Sequence, residues 1–161
     1  EEVYQVLVEA SGRHGVFAHG FTYSGHPLAC TVALKAIEIY ERIDIVAHVR
    51  RVAPIFQLRL KALSDHPIVG EARGVGLIGA VELMADKGSR QNFEPKLGVG
   101  VRAARFAEEE GLICRAMGGD SIALCPPLII DGAEINAMFD CLGRALDKTE
   151  MWARGEGYFA P

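Results

Sequence analysis

The segment Glu71-Ala72-Arg73-Gly74-Val75-Gly76-Leu77-Ile78-Gly79-Ala80-Val81-Glu82-Leu83 decides how most of the chain is read. Short apolar runs flank two glycines, Gly74 and Gly76. Such runs read as strands, and glycines between two of them read as a tight hairpin. The pattern predicts strands over 68–73 and 77–83. Upstream, Asp44 can cap a helix whose apolar stripe is Ile45, Val49, Val52, Phe56, Leu60 and Leu63. Pro54 removes one rung of that helix, so a kink is expected there. Arg50, Arg51, Arg59 and Lys61 read as its solvated face, and His66-Pro67 as its end.

Downstream, a loop over 85–95 leads to a predicted helix at 97–110, stopped by Gly111. Strands follow at 112–115 and 121–124, around the turn Met117-Gly118-Gly119-Asp120. Asp131 and Glu134 have the spacing of a capping box, ahead of a helix with Ile135, Met138, Phe139, Leu142 and Leu146 on one face. After Met151 the periodicity fades, and an extended or fraying tail is expected. Strand, strand, helix, strand, strand, helix is the order of an α+β layer: a small, mainly antiparallel sheet with helices on one face.

Toward the N-terminus, Val3, Leu7 and Ala10 have helical spacing, and Gly12 is expected to stop that helix. The abrupt start inside a helical pattern suggests a natural chain that begins earlier. Pro27 opens another helix, expected to reach about Glu41. Leu28, Val32, Ile37 and Tyr40 give it apolar area, and Ala29, Cys30, Ala33 and Ala36 allow close packing.

Composition narrows the function classes. Half of the 161 residues are hydrophobic, enough for a real core. The formal net charge of −4, with both signs interspersed, argues against nucleic acid as partner. No apolar run approaches the roughly 18–20 residues of a membrane span. The acidic start, Glu1-Glu2, is unlike a signal peptide. Cys30, Cys114, Cys125 and Cys141 are widely spaced in apolar stretches, and are expected as buried free thiols in a reducing cytoplasm. His14, His19 and His26 share one loop, but their spacing does not make a metal site. His48 and His66 read as surface residues.

Chemistry concentrates in His19-Gly20-Phe21-Thr22-Tyr23-Ser24-Gly25-His26-Pro27. This loop sets two hydroxyls and glycine backbone ahead of a helix N-terminus, where free N–H groups and a partial positive charge suit a phosphate. From the residues alone this signal is weak, and Ser24 or His26 capping the helix beside core aromatics is the stronger reading. The loop resembles the motif that ends the large domain in class III aminotransferases, enzymes dependent on pyridoxal 5'-phosphate (PLP). The resemblance implies that Thr22 binds the PLP phosphate of a neighbouring subunit.

The hairpin 71–83 resembles that family's small-domain hairpin, with Arg73 and Glu82 read as structural. Gly111-Leu112-Ile113-Cys114-Arg115-Ala116-Met117-Gly118-Gly119-Asp120 resembles the segment carrying the substrate-carboxylate arginine of omega-amino acid:pyruvate aminotransferases, at Arg115. The residue alone reads more readily as part of a surface salt bridge. The Gly118-Gly119 pair departs from that pattern and can alter the arginine's reach. Cys125-Pro126-Pro127 resembles the family's Pro-Pro stretch, to which no chemistry is assigned.

The resemblance implies the fold of a type I PLP-dependent transferase: the end of the large domain over 1–41, the C-terminal small domain over 42–150 and a tail over 151–161. It implies amino transfer from an amine or omega-amino acid to a keto acid such as pyruvate, in a homodimer or higher oligomer with shared sites. An aminomutase, a dialkylglycine-type decarboxylase and a non-catalytic interaction module are the alternatives. PLP chemistry also needs a lysine that attaches the cofactor. In that family it lies upstream of the matching segments. Lys35, Lys61, Lys87, Lys96 and Lys148 have no matching context. No catalytic residue is therefore assigned within this chain, which alone is expected to be inactive.

Overall fold

In a computed structural model of the chain, which describes residues 1–17 and 20–159, a two-residue turn at Gly76-Leu77 folds β1 (Val69–Val75) back on β2 (Ile78–Leu83). Gly76 has φ of 60°, which a glycine adopts without strain. β1 runs two residues past its expected end, so Gly74 belongs to the strand and lies opposite Gly79. The reason lies above the sheet. A Cβ on Gly74 or on Gly79 would come within 2.7 Å of the Leu60 side chain. These glycines admit a helix onto the sheet rather than forming the turn.

β4 (Ser121–Leu124) pairs with β2, and β3 (Arg115–Met117) pairs with β4. The sheet order is β1-β2-β4-β3 and every pairing is antiparallel. β3 starts at Arg115 and not at Leu112. The Leu112 N–H donates to the Ala107 carbonyl at the end of the preceding helix, 2.8 Å away, which ties the lead-in to that helix instead of to the ladder.

Helices α3 (Ile45–Ala62), α4 (Val99–Glu109) and α5 (Gly132–Gly155) supply the rest of the core. Val81, Ile122 and Leu124 from the sheet join Phe56 and Leu60 of α3, Ala103 of α4, and Ile135, Phe139, Leu142 and Leu146 of α5. Phe56 meets Phe139 edge-on, with centroids 5.1 Å apart, a geometry that aromatic quadrupoles favour. This is the expected α+β layer.

The Asp44 side chain accepts from the Ala47 N–H at the start of α3. The Asp131–Glu134 capping box opens α5, with both bonds formed at 2.8 and 2.9 Å. α3 continues through Pro54 without a break. α5 runs past Met151 to Gly155, because Ala153 is buried in the core. Beyond it the chain turns back, with Tyr158 edge-on to Trp152 and Phe159 edge-on to Phe93. Contact with those rings replaces the expected extended or fraying tail.

Residues Glu1–Arg42 separate from Ile43–Pro161 as a unit of their own. This first unit holds α1 (Glu2–His14) and α2 (Pro27–Arg42). α1 passes through Gly12 and ends at Gly15. No residue of either helix is buried, and Leu28, Val32 and Ile37 are exposed.

Two further expectations are corrected. All four cysteines are free, but Cys30 and Cys125 are exposed and Cys114 and Cys141 half-buried, because each lies at an element's edge or outer face rather than in the core. His48 and His66 are built into the fold. The Nε2 of His48 lies 2.9 Å from the Ile130 carbonyl, and the Nε2 of His66 lies 3.2 Å from an Asp147 oxygen. Among the described residues no helix is long and apolar enough to cross a membrane.

Candidate functional site

The loop before α2 folds as a turn over residues 22–25. Ser24 closes it from both sides. Its N–H donates to the Phe21 carbonyl at 3.1 Å, and its Oγ accepts from the Phe21 N–H at 3.3 Å. His26 caps α2: its Nδ1 accepts from the Ala29 N–H at 3.4 Å, and its ring meets Tyr23 edge-on. The capping read from the sequence is thus realised, by His26 for the helix and by Ser24 for the turn. Thr22 is exposed at the start of the same turn. An exposed hydroxyl beside a 16-residue helix start is chemically suited to an anion. His19 lies outside the described residues. Among the described residues, no group of His, Cys, Asp and Glu side chains is arranged to hold a metal ion.

Arg115 lies in the second unit, at the start of the edge strand β3. Strand pairing puts Arg73, Ala80, Ala123 and Arg115 in one row across the sheet, on the face opposite Val81 and Ile122 because strand side chains alternate. The row therefore carries an arginine at each end and two alanines between. The two arginines differ in what they touch. Arg73 donates to Glu82 at 2.9 Å and lies 3.4 Å from Glu71, so its charge is matched, as its structural reading requires. Arg115 is exposed, and among the described residues no ion pair involves it. A guanidinium in this state offers two parallel N–H groups to a carboxylate.

The turn after Arg115 carries a residue whose part in the site sequence reasoning missed. Asp120 Oδ1 accepts from the Gly100 N–H at 2.7 Å, and the Asp120 carbonyl accepts from the Leu83 N–H at 3.1 Å. The available signal was Gly98 ahead of α4, a helix start with no side chain to cap it.

The lysines do not suit cofactor attachment, which requires a depressed pKa or an adjacent base. Lys96 is pushed up by its hydrogen bond to Glu94, and Lys148 by its hydrogen bond to Glu110. Lys35 pairs with Glu38 at 2.7 Å. Lys87 donates to the Ser64 and His66 carbonyls, and Lys61 is exposed. The exposed Thr22 hydroxyl and the Arg115 guanidinium are chemically suited to a phosphate and to a carboxylate, whereas the lysines are not suited to attaching a cofactor.

The model of the family described as aminotransferase class-III matches residues 1–146. Gamma aminobutyrate transaminase 1 of Solanum lycopersicum, a mitochondrial protein, is 44% identical over 149 residues, covering 92% of this chain and 29% of its own length. An omega-transferase of Vibrio fluvialis aligns with a TM-score of 0.84 at 41% identity, over 96% of this chain and 37% of that one. A PMP-bound aminotransferase structure, also from Vibrio fluvialis, aligns with a TM-score of 0.81 at 43% identity, over 93% of this chain and 33% of that one. The chain thus spans about a third of the length of these proteins.

Proposed function

The chain belongs to the class III aminotransferase family, whose members use PLP, and on that premise we propose that it is the C-terminal part of an enzyme moving an amino group from an amine or omega-amino acid to a keto acid such as pyruvate. The observation that carries this reading is Arg115: exposed at the sheet edge and without an acidic partner among the described residues, while Arg73 in the same row is matched by Glu82. The matched relatives that are named as transaminases favour amino transfer over the aminomutase and decarboxylase readings.

Bound PLP would carry the amino group between donor and acceptor. Thr22 would hold its phosphate through the exposed hydroxyl, in the site of a partner subunit of a homodimer. Ser24 and His26 would keep the turn and the helix start in place for that contact. Arg115 would grip the acceptor's carboxylate through paired N–H groups and so orient the keto carbon. At a strand end, next to a glycine turn, its long side chain can also swing aside for an uncharged amine. The lysine that attaches the cofactor would come from another segment of the same protein, and the 161-residue chain alone would be inactive.

The test uses the full-length protein with an uncharged amine as donor and pyruvate as acceptor. Arg115→Ala is expected to raise KM for pyruvate by about thirtyfold or more, the effect of losing a charge-assisted pair that substrate binding would bury, worth roughly 2 kcal/mol or more. KM for the uncharged amine should change little. Equal effects on both substrates would mean that Arg115 is structural.

A further inference from the structure

β3 is three residues long and lies at the sheet's edge, so backbone pairing holds it on one side only. The turn that joins it to β4 has little else to hold it. A Cβ placed on Gly118 or on Gly119 would meet nothing within 4 Å. A cleft of about 420 Å3, lined in part by Pro95, Val101, Met117 and Gly118, opens beside it. The fixed point is Asp120. Its side chain accepts the Gly100 N–H at 2.7 Å and its carbonyl accepts the Leu83 N–H at 3.1 Å. It holds φ of 54°, a conformation that costs a non-glycine residue free energy unless its surroundings impose it.

The helix side of the contact is equally specific. Gly98, the N-cap of α4, has no side chain to satisfy the first N–H groups of the helix. Asp120 satisfies one of them from 20 residues away and places its carboxylate at the positive end of the helix. The approach needs glycine at position 100, where a Cβ would lie 2.8 Å from the Asp120 Cα.

We infer that Asp120, latched onto the Gly100 N–H, is a positioning residue that sets the reach of Arg115 toward the acceptor carboxylate. This rests on the carboxylate role proposed for Arg115. Asp120 touches no substrate. It fixes one end of a short edge hairpin whose other end starts with Arg115, and a carboxylate grip depends on the guanidinium being placed within a fraction of an ångström. Loss of the latch frees the hairpin to twist into the adjoining cleft. Arg115 then retains its charge and loses its aim.

The experiment compares Asp120→Ala, Asp120→Asn, Gly100→Ala and Arg115→Ala in the full-length protein, reading kcat and KM separately for pyruvate and for an uncharged amine. Misplacing a positioning group by an ångström can cost about a hundredfold, and losing one latch is expected to raise KM for pyruvate about tenfold in Asp120→Ala and in Gly100→Ala. KM for the amine should stay within about twofold of wild type, since the lost interaction serves only the carboxylate. Asp120→Asn keeps an oxygen for the Gly100 N–H and should restore the wild-type value. If Arg115→Ala shows no pyruvate-selective loss, the carboxylate assignment itself fails. If Arg115→Ala is selective while Asp120→Ala and Gly100→Ala are silent or impair both substrates equally, the latch alone is overturned. Insolubility of both would make Asp120 a folding residue, which also overturns it.

Discussion

Gly79 is buried where α3 crosses the sheet, and a Cβ there would lie 2.7 Å from Leu60 Cδ2 and 3.0 Å from Phe56 Cε1. Leu60 is 1% exposed and Phe56 fully buried, so neither can move aside without disturbing the core. Gly79→Ala should therefore destabilise the chain by about 1–3 kcal/mol, the usual cost of overpacking. Urea unfolding with an unchanged m-value would measure it, and a neutral result would show that α3 sits farther from the sheet. At this scale the sequence was partly legible. Glycines in the hairpin stood out, but their spacing does not say which serves a turn and which serves a helix above it. Thr22 and Arg115 are proposed from resemblance, since a threonine or an arginine alone carries no signal of its role. Asp120 looked like any turn residue, because its partner lies 20 positions upstream.

Between elements, α4 and α5 are joined by charge. Glu110, just past the end of α4, accepts from Arg144 and pairs with Lys148 of α5, each at 2.6 Å. The Arg144 hydrogen bond first, and the Lys148 hydrogen bond second, hold the Glu110 carboxyl below the usual carboxylate range. A carboxyl depressed in the folded state adds stability that is present above its unfolded pKa and lost as pH falls through the folded one. Glu110→Gln should accordingly lower Tm at neutral pH, and the gap to wild type should close as the solution is acidified below pH about 4. High salt should shrink the same gap, because the pair is partly exposed. A pH-independent gap would mean that Glu110 acts through packing. Helix starts were readable because caps are local: Asp44 with Ala47 and Asp131 with Glu134 lie three residues apart. Contacts such as Arg59 with Asp140 and His66 with Asp147, each 81 residues apart, leave no trace in a periodicity. The start of β3 differs for a local reason: past Gly111 the Leu112 N–H closes the C-terminal turn of α4 on the Ala107 carbonyl, five residues back, instead of joining the ladder.

Across the whole molecule, the two units differ in how far they satisfy themselves. Ile43–Pro161 encloses a core of its own, whereas Glu1–Arg42 exposes Leu28, Val32, Ile37 and Tyr40 and buries nothing in its helices. Exposed apolar area of this kind marks surfaces that a partner or further chain covers, which is in keeping with the proposal that this unit belongs to a larger domain. The most direct measurement mixes two impaired full-length variants. One lacks the cofactor-attaching lysine and keeps Thr22; the other keeps that lysine and carries Thr22→Ala, with Ser24→Ala added if the single change only weakens binding. If Thr22 serves the neighbouring subunit, each mixed dimer contains one site with both groups intact, and activity at limiting PLP should partly return once subunit exchange is verified. Verified exchange with no recovery would contradict a site shared between subunits through Thr22.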